Sequence, residues 1–151
     1  MKVCGIEMGD AVVIVGVDDE AMVDAMRKAL ERSVRRLPGA RGVTEDTLAS
    51  CRKTGDRLCL YDLGDSMHPT KYRPMVDALR ASGVPFVATT HSPYLLDCFS
   101  GDEVIVLHEG RAARLSQHPQ WPTWATLCNA GEFWSAEGEA WVANVAAEGC
   151  E

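Results

Sequence analysis

Val84-Pro-Phe-Val-Ala-Thr-Thr-His-Ser-Pro-Tyr-Leu-Leu-Asp97 is the stretch that decides the fold class. An apolar run passes directly into Thr89-Thr90-His91, and Ser92-Pro93 opens a helix at once. Serine is a natural N-cap and proline a natural first helical residue. A strand that ends in polar residues and turns straight into helix is the building unit of a parallel α/β sheet. Such sheets keep their ligand sites beyond the carboxyl ends of the strands.

Upstream, Arg57-Leu-Cys-Leu-Tyr-Asp62 reads as a second buried strand ending in an acid. Between the two, the sequence predicts a helix that begins near Pro74 and ends at Gly83, since proline is tolerated only in a first turn and glycine suits the residue after a helix. Strand, helix and strand over residues 57–90 make a βαβ unit with a right-handed crossover. Asp62 and His91 then close parallel strands. If those strands are neighbours, about 5 Å apart, their side chains share one sheet edge. A carboxylate and an imidazole there can hold a metal, a water or a phosphate. The plainer alternative is an aspartate capping a loop and a histidine satisfied by backbone.

Working outward, Lys2–Ile6 and Ala11–Val17 are short β-branched runs around Gly9-Asp10, which reads as a β-hairpin or two adjacent strands. Asp18 or Asp19 caps a predicted helix from Glu20 to Leu37, with Met22, Met26, Ala29, Leu30, Ser33 and Leu37 on one face. Pro38-Gly-Ala-Arg-Gly42 ends it. Thr44–Lys53 is a short helix. Downstream, 103–108 and 112–115 form a hairpin around Glu109-Gly110-Arg111. Two helices are expected in the tryptophan-rich end, at 121–130 and 136–147. The expected architecture is therefore α/β: a parallel-sheet core with an N-terminal β-hairpin and helix and a helical C-terminus.

A chain of 151 residues makes one domain large enough to bury a core. No apolar run is long enough to span a bilayer, and the N-terminal residues lack a signal-peptide core, so a cytoplasmic, non-membrane protein is expected. Six cysteines, at 4, 51, 59, 98, 128 and 150, include no C-x-x-C pair and read as buried thiols rather than zinc ligands. The net charge of −7 argues against nucleic acid as a partner. The charge is uneven, though. Arg27, Lys28, Arg32, Arg35, Arg36 and Arg41 cluster early, and no Lys or Arg follows Arg114. Such asymmetry marks either a partner surface or a solvated helix face.

Thr89-Thr-His-Ser-Pro-Tyr-Leu-Leu96 closely resembles the switch-histidine segment of ATP-binding-cassette-like (SMC/RecF-like) AAA ATPases. Leu58-Cys-Leu-Tyr-Asp62 is similar to the family's Walker B strand, Ser66-Met-His-Pro69 to the Leu-His-Pro turn that follows it, and Gly101–Leu107, Gly131–Ser135 and Gly138–Val142 to later parts. The likeness covers residues 57–142. It implies that Asp62 holds Mg²⁺, that Asp62, Thr90 and His91 face a nucleotide, and that His91 and Asp65 stand at catalytic positions. The departures are large. No G-x-x-x-x-G-K-[ST] phosphate loop occurs in the chain, no Leu-Ser-Gly-Gly-type signature precedes the strand, and Leu63 occupies the place of the family's general base. Leucine cannot take a proton, and phosphoryl transfer depends on the missing cradle.

The resemblance therefore implies a truncated or degenerate ATPase-like domain. Its expected role is a non-hydrolytic, nucleotide-related binding or assembly module, in a homo-oligomer or with an ATPase partner that supplies the phosphate loop. Mg²⁺ and ATP would bind only in that company. A second reading is an RNase H-like, Mg²⁺-dependent nuclease using Glu7, Asp62 and Asp65. A third is an interaction protein with no site.

Overall fold

In the computed structural model, the residues described are 2, 3, 6, 7, 9–16, 34–38, 43–65 and 67–145. The run Ala11–Val15 (β3) is buried at every position. A strand that is apolar on both faces belongs inside a parallel sheet, and β3 lies in the middle of one. It pairs in parallel with Phe86–Thr90 (β6) on one side, Ala11 opposite Phe86, and with Val104–His108 (β7) on the other, Val13 opposite Val104. Arg57–Tyr61 (β5) pairs in parallel with β6, Leu58 opposite Phe86. Val34–Pro38 (β4) pairs in parallel with β5 at one edge. At the other edge, Arg111–Arg114 (β8) pairs antiparallel with β7. The six strands run β4-β5-β6-β3-β7-β8. Glu109 and Gly110 both take left-handed conformations, φ 50° and 76°, which is what a two-residue hairpin turn of this type requires.

The α/β class holds, but the N-terminal third departs from expectation in two places. Lys2–Val3 (β1) pairs with Ile6–Glu7 (β2) in a separate two-stranded sheet, so no hairpin joins Lys2–Ile6 to Ala11–Val15. The reason is burial. A hairpin strand would leave one polar face, and β3 has none. Second, the predicted helix over 20–37 is contradicted at its end, because residues 34–38 are strand β4. The rest of it, residues 20–33, lies outside the described residues. Arginine-rich and closed by Pro38, β4 suits an edge position, where a missing N–H and repeated charge are tolerated. Residues before 50 thus complete the sheet.

Helix α1 is Glu45–Thr54, capped by Thr44, whose hydroxyl accepts from the Thr47 N–H at 3.2 Å. It ends at Gly55, φ 77°. Helix α2, Tyr72–Ala81, follows a 3₁₀ turn at Pro69–Lys71 and buries Tyr72, Val76 and Leu79. Helix α3 is the single turn Pro93–Leu96. The tryptophan-rich end also differs from expectation. Trp121–Trp124 (α4) is one turn, Ala130–Glu137 (α5) is the main helix, and Ala140–Ala143 is 3₁₀. An Asn129–Glu132 capping box starts α5 and Gly138, φ 66°, stops it. Those local signals break both predicted helices. Among the described residues no helix is long and apolar enough to cross a membrane.

Arg80 of α2 and Glu103 form a two-point ion pair at 2.6 and 2.9 Å. Burial would raise the Glu103 carboxyl, but the hydrogen bonds from Arg80 and from the Ser100 N–H, with the charge of Arg80, outweigh it and hold the group below the ordinary carboxylate range. A carboxyl whose folded value is depressed adds stability above its unfolded value and loses it as pH falls through the folded one. Glu103→Gln is therefore expected to cost about 1 kcal/mol at pH 7, given the partial exposure of the pair, and nothing near pH 2. Urea titrations at the two pH values check this.

Candidate site at the carboxyl edge of the sheet

The chain lays down β3 first, runs to the far edge at β4, and returns through β5 to β6, beside β3. From β6 it passes β3 to reach β7 on the other side. The connections leaving β3 and β6 therefore head in opposite directions. That is a topological switch point, and crevices outside the carboxyl ends of strands open there. Gly16 follows β3, His91 follows β6, and Asp62 follows β5, one strand further.

The turn at Asp62 is tied to β6. Asp62 has φ 50°, and its N–H donates to Thr89 Oγ1 at 3.0 Å. The Leu63 N–H donates to the Thr89 carbonyl at 2.9 Å, and the Leu63 carbonyl accepts from Thr90 Oγ1 at 3.2 Å. The Tyr72 hydroxyl donates to the Gly64 carbonyl at 3.0 Å, closing the turn from the helix side. The result is a rigid edge with Asp62, Asp65 and His91 exposed on it.

The other sequence-predicted residues divide. Thr90 is 1% exposed, and its hydroxyl is engaged on both sides, accepting from the Ser92 N–H at 3.0 Å while donating to Leu63. It ties the Leu63 turn to the start of the next helix. Thr89, which the sequence reading passed over, is the residue that clasps Asp62. A threonine interrupting an otherwise apolar strand was the available signal. Asp65 shares the Asp62 turn, donating its N–H to the Asp62 carbonyl at 3.0 Å. Glu7 belongs to β2, in the separate two-stranded sheet, so the structure does not set it on the sheet that carries Asp62 and Asp65. Of the Leu-His-Pro-like turn, Ser66 lies outside the described residues. His68 caps the 3₁₀ turn, accepting from the Thr70 N–H at 3.2 Å.

Could this edge hold Mg²⁺ and a nucleotide unaided? Among the described residues no group of three His, Cys, Asp or Glu is placed to hold a metal. Asp62 alone offers what a magnesium ion takes when substrate phosphates complete its shell. Those phosphates would need a cradle, and the sequence holds no phosphate loop. Gly16, at the end of β3, abuts the Leu107 backbone, so its missing side chain serves strand packing. Leu63, the residue after Asp62, is 1% exposed and belongs to the core.

A cleft of about 530 Å³ opens at the opposite end of the sheet, lined by Asp10, Arg80, Pro85, Asp102, Glu103 and Arg114 among others. It contains none of the predicted site residues. Arg80 is engaged by Glu103, and Asp102 accepts from the Ser116 hydroxyl at 2.6 Å. The candidate site is therefore the carboxyl edge, where Asp62 and His91 follow adjacent parallel strands beside the switch point, rather than this cleft. No protein-family model matches the chain, and a search of curated proteins finds no match.

Proposed function

We propose that this chain is a degenerate ATPase-like module of the ATP-binding-cassette-like type, acting as a non-hydrolytic, nucleotide-related binding or assembly module. The single observation that carries the reading is the clasp between the Asp62 turn and Thr89, which sets Asp62 and His91 at the carboxyl ends of adjacent parallel strands, β5 and β6. The resemblance of Thr89–Leu96 to a switch-histidine segment supports the same edge. Asp62 would contribute one Mg²⁺ ligand and His91 a polar contact to phosphate. The phosphate cradle would come from a full-length ATPase partner. The buried Leu63 supports a role in binding rather than hydrolysis.

Calorimetry with Mg²⁺-ATP tests this, on the wild type and on Asp62→Ala with His91→Ala. With a P-loop ATPase added, binding beyond that of the ATPase alone, lost in the double variant, is the expected result. Wild type that binds no Mg²⁺-ATP, alone or with a P-loop ATPase added, would remove the nucleotide part of the reading.

A further inference from the structure

Among the described residues, the large apolar side chains that stand exposed are Tyr94 at 64%, Trp124 at 41% and Leu127 at 73%. Scattered singly they would mean nothing. They belong instead to one joint. Tyr94 is on α3, and Trp124 and Leu127 lie in the segment that leads into α5. Helices α3 and α5 meet at Gly131, where the absent side chain leaves room for the Pro93 carbonyl and the Asp97 carboxylate. Exposed apolar groups gathered where two elements join mark an interaction surface.

The joint is held in place before any partner arrives. The Gly131 N–H donates to Asp97 Oδ1 at 3.0 Å. The Trp124 ring lies 6.4 Å from that of Phe133 on α5. The Leu127 and Cys128 N–H groups both donate to the Trp124 carbonyl, at 2.8 and 2.9 Å. Docking onto such a surface forfeits little backbone freedom.

The charges at the joint select what meets it. Asp97 stands between two of them. On one side, Arg73 Nη2 donates to the Asp97 carbonyl at 3.0 Å. On the other, Glu132 follows Gly131, and its carboxylate turns back to accept from the Asn129 N–H at 3.2 Å, two residues past Leu127. Arg73 and Glu132 are both exposed. The Arg73 bond uses one of five guanidinium N–H groups, and the Glu132 bond one of two carboxylate oxygens. The joint therefore presents a cation, an anion and apolar anchors together. Nucleic acid would meet the acids as well as the cation, and gains nothing from a surface of mixed sign. A second copy does gain. A two-fold axis sets the cation of each copy opposite the anion of the other, so the complementarity is used twice.

We propose that the outer surface of the α3–α5 joint is the face on which two copies of this chain meet, Arg73 of each opposite Glu132 of the other, with Tyr94 and Leu127 as apolar anchors. The proposal rests on the assembly part of the reading above, not on the nucleotide part. Sedimentation velocity tests it. The wild type is expected to dimerise at low salt and to weaken at high salt, as exposed charge pairs are screened. Leu127→Glu and, separately, Tyr94→Ala are expected to weaken association at least about tenfold, the loss typical of an interface anchor. Arg73→Glu sets acid against acid and Glu132→Lys sets base against base, so each variant alone should lose the dimer. Mixed in equal amounts the two should associate again, because both cross-pairs are then of opposite sign. Glu132→Gln keeps the capping hydrogen bond and loses only the charge, so it reads the charge effect should Glu132→Lys unfold. Circular dichroism confirms folding of each variant. A wild type that stays monomeric at high concentration and low salt, a dimer indifferent to Leu127→Glu or to the charge changes, or a folded mixture that stays apart overturns the proposal. A dimer that binds no nucleotide would leave this face standing and remove only the nucleotide reading. A monomer that binds nucleotide would do the reverse.

Discussion

Leu63→Glu, which restores the acid found beside the Walker B aspartate in the resembled family, is expected to yield no ATPase activity and to destabilise the protein by at least about 3 kcal/mol at pH 7. Position 63 does not point into the crevice. Its side chain is 1% exposed within the hydrophobic core, and both of its backbone polar groups are bound to β6, through the Thr89 carbonyl and the Thr90 hydroxyl. A carboxylate placed there loses its hydration and gains no partner. Burial would raise its folded-state value above the unfolded one, about 4.3. The charge penalty is then complete above the raised value and absent below the unfolded one. Urea denaturation at pH 7 and pH 3.5 should show the deficit shrinking in acid, leaving only the cost of misfit. A stable Leu63→Glu protein with ATP turnover would mean that this turn can expose residue 63, and the assignment of the edge would have to be redrawn.

Among the described glycines, Gly131→Ala is expected to be the most damaging, costing about 3 kcal/mol, roughly 10 °C in Tm. A Cβ at residue 131 would overlap the Pro93 carbonyl oxygen, its carbon and the Asp97 carboxylate. Two of those three atoms are backbone and cannot swing away. Helix α5 approaches α3 this closely because glycine is there, and the Gly131 N–H uses the approach to donate to Asp97 Oδ1 at 3.0 Å. Burial pushes the Asp97 carboxyl above its ordinary range, and this N–H partly offsets it. Forcing the helices apart would also loosen the packing of Trp121 and Trp124 on Phe133 of α5. Thermal unfolding followed by tryptophan fluorescence measures the loss. A change of less than about 1 kcal/mol would show that the α3–α5 contact is slack.

The strand ends were more legible than the sheet that holds them. Asp62 and His91 could be placed because strand ends, turn residues and the Ser-Pro helix start are written locally, within a few residues of each side chain. Helix α1 was legible for the same reason, with Thr44 before it and Gly55 after it. The Asn129–Glu132 capping box and Gly138 were equally local, and attention to them would have divided the C-terminal helices correctly. Strand β4 was not legible. Val34–Pro38 sits in a stretch whose apolar spacing suits a helix, and what makes it strand is pairing with Arg57–Tyr61, more than twenty positions later in the chain.

The amino-acid sequence by itself determined the class of sheet, the two strand ends that carry an acid and a histidine, the absence of a phosphate loop, and the separation of basic and acidic residues along the chain. All of these are properties of short segments or of composition. Only the tertiary structure decided that Ala11–Val15 is the central strand, that Thr89 clasps the Asp62 turn, that Leu63 is core, and that Trp124 and Leu127 stand outward. Each of these depends on which distant segments share the sheet and on how much surface they cover. Burial and long-range pairing are set by the whole chain at once, and no window of residues contains them.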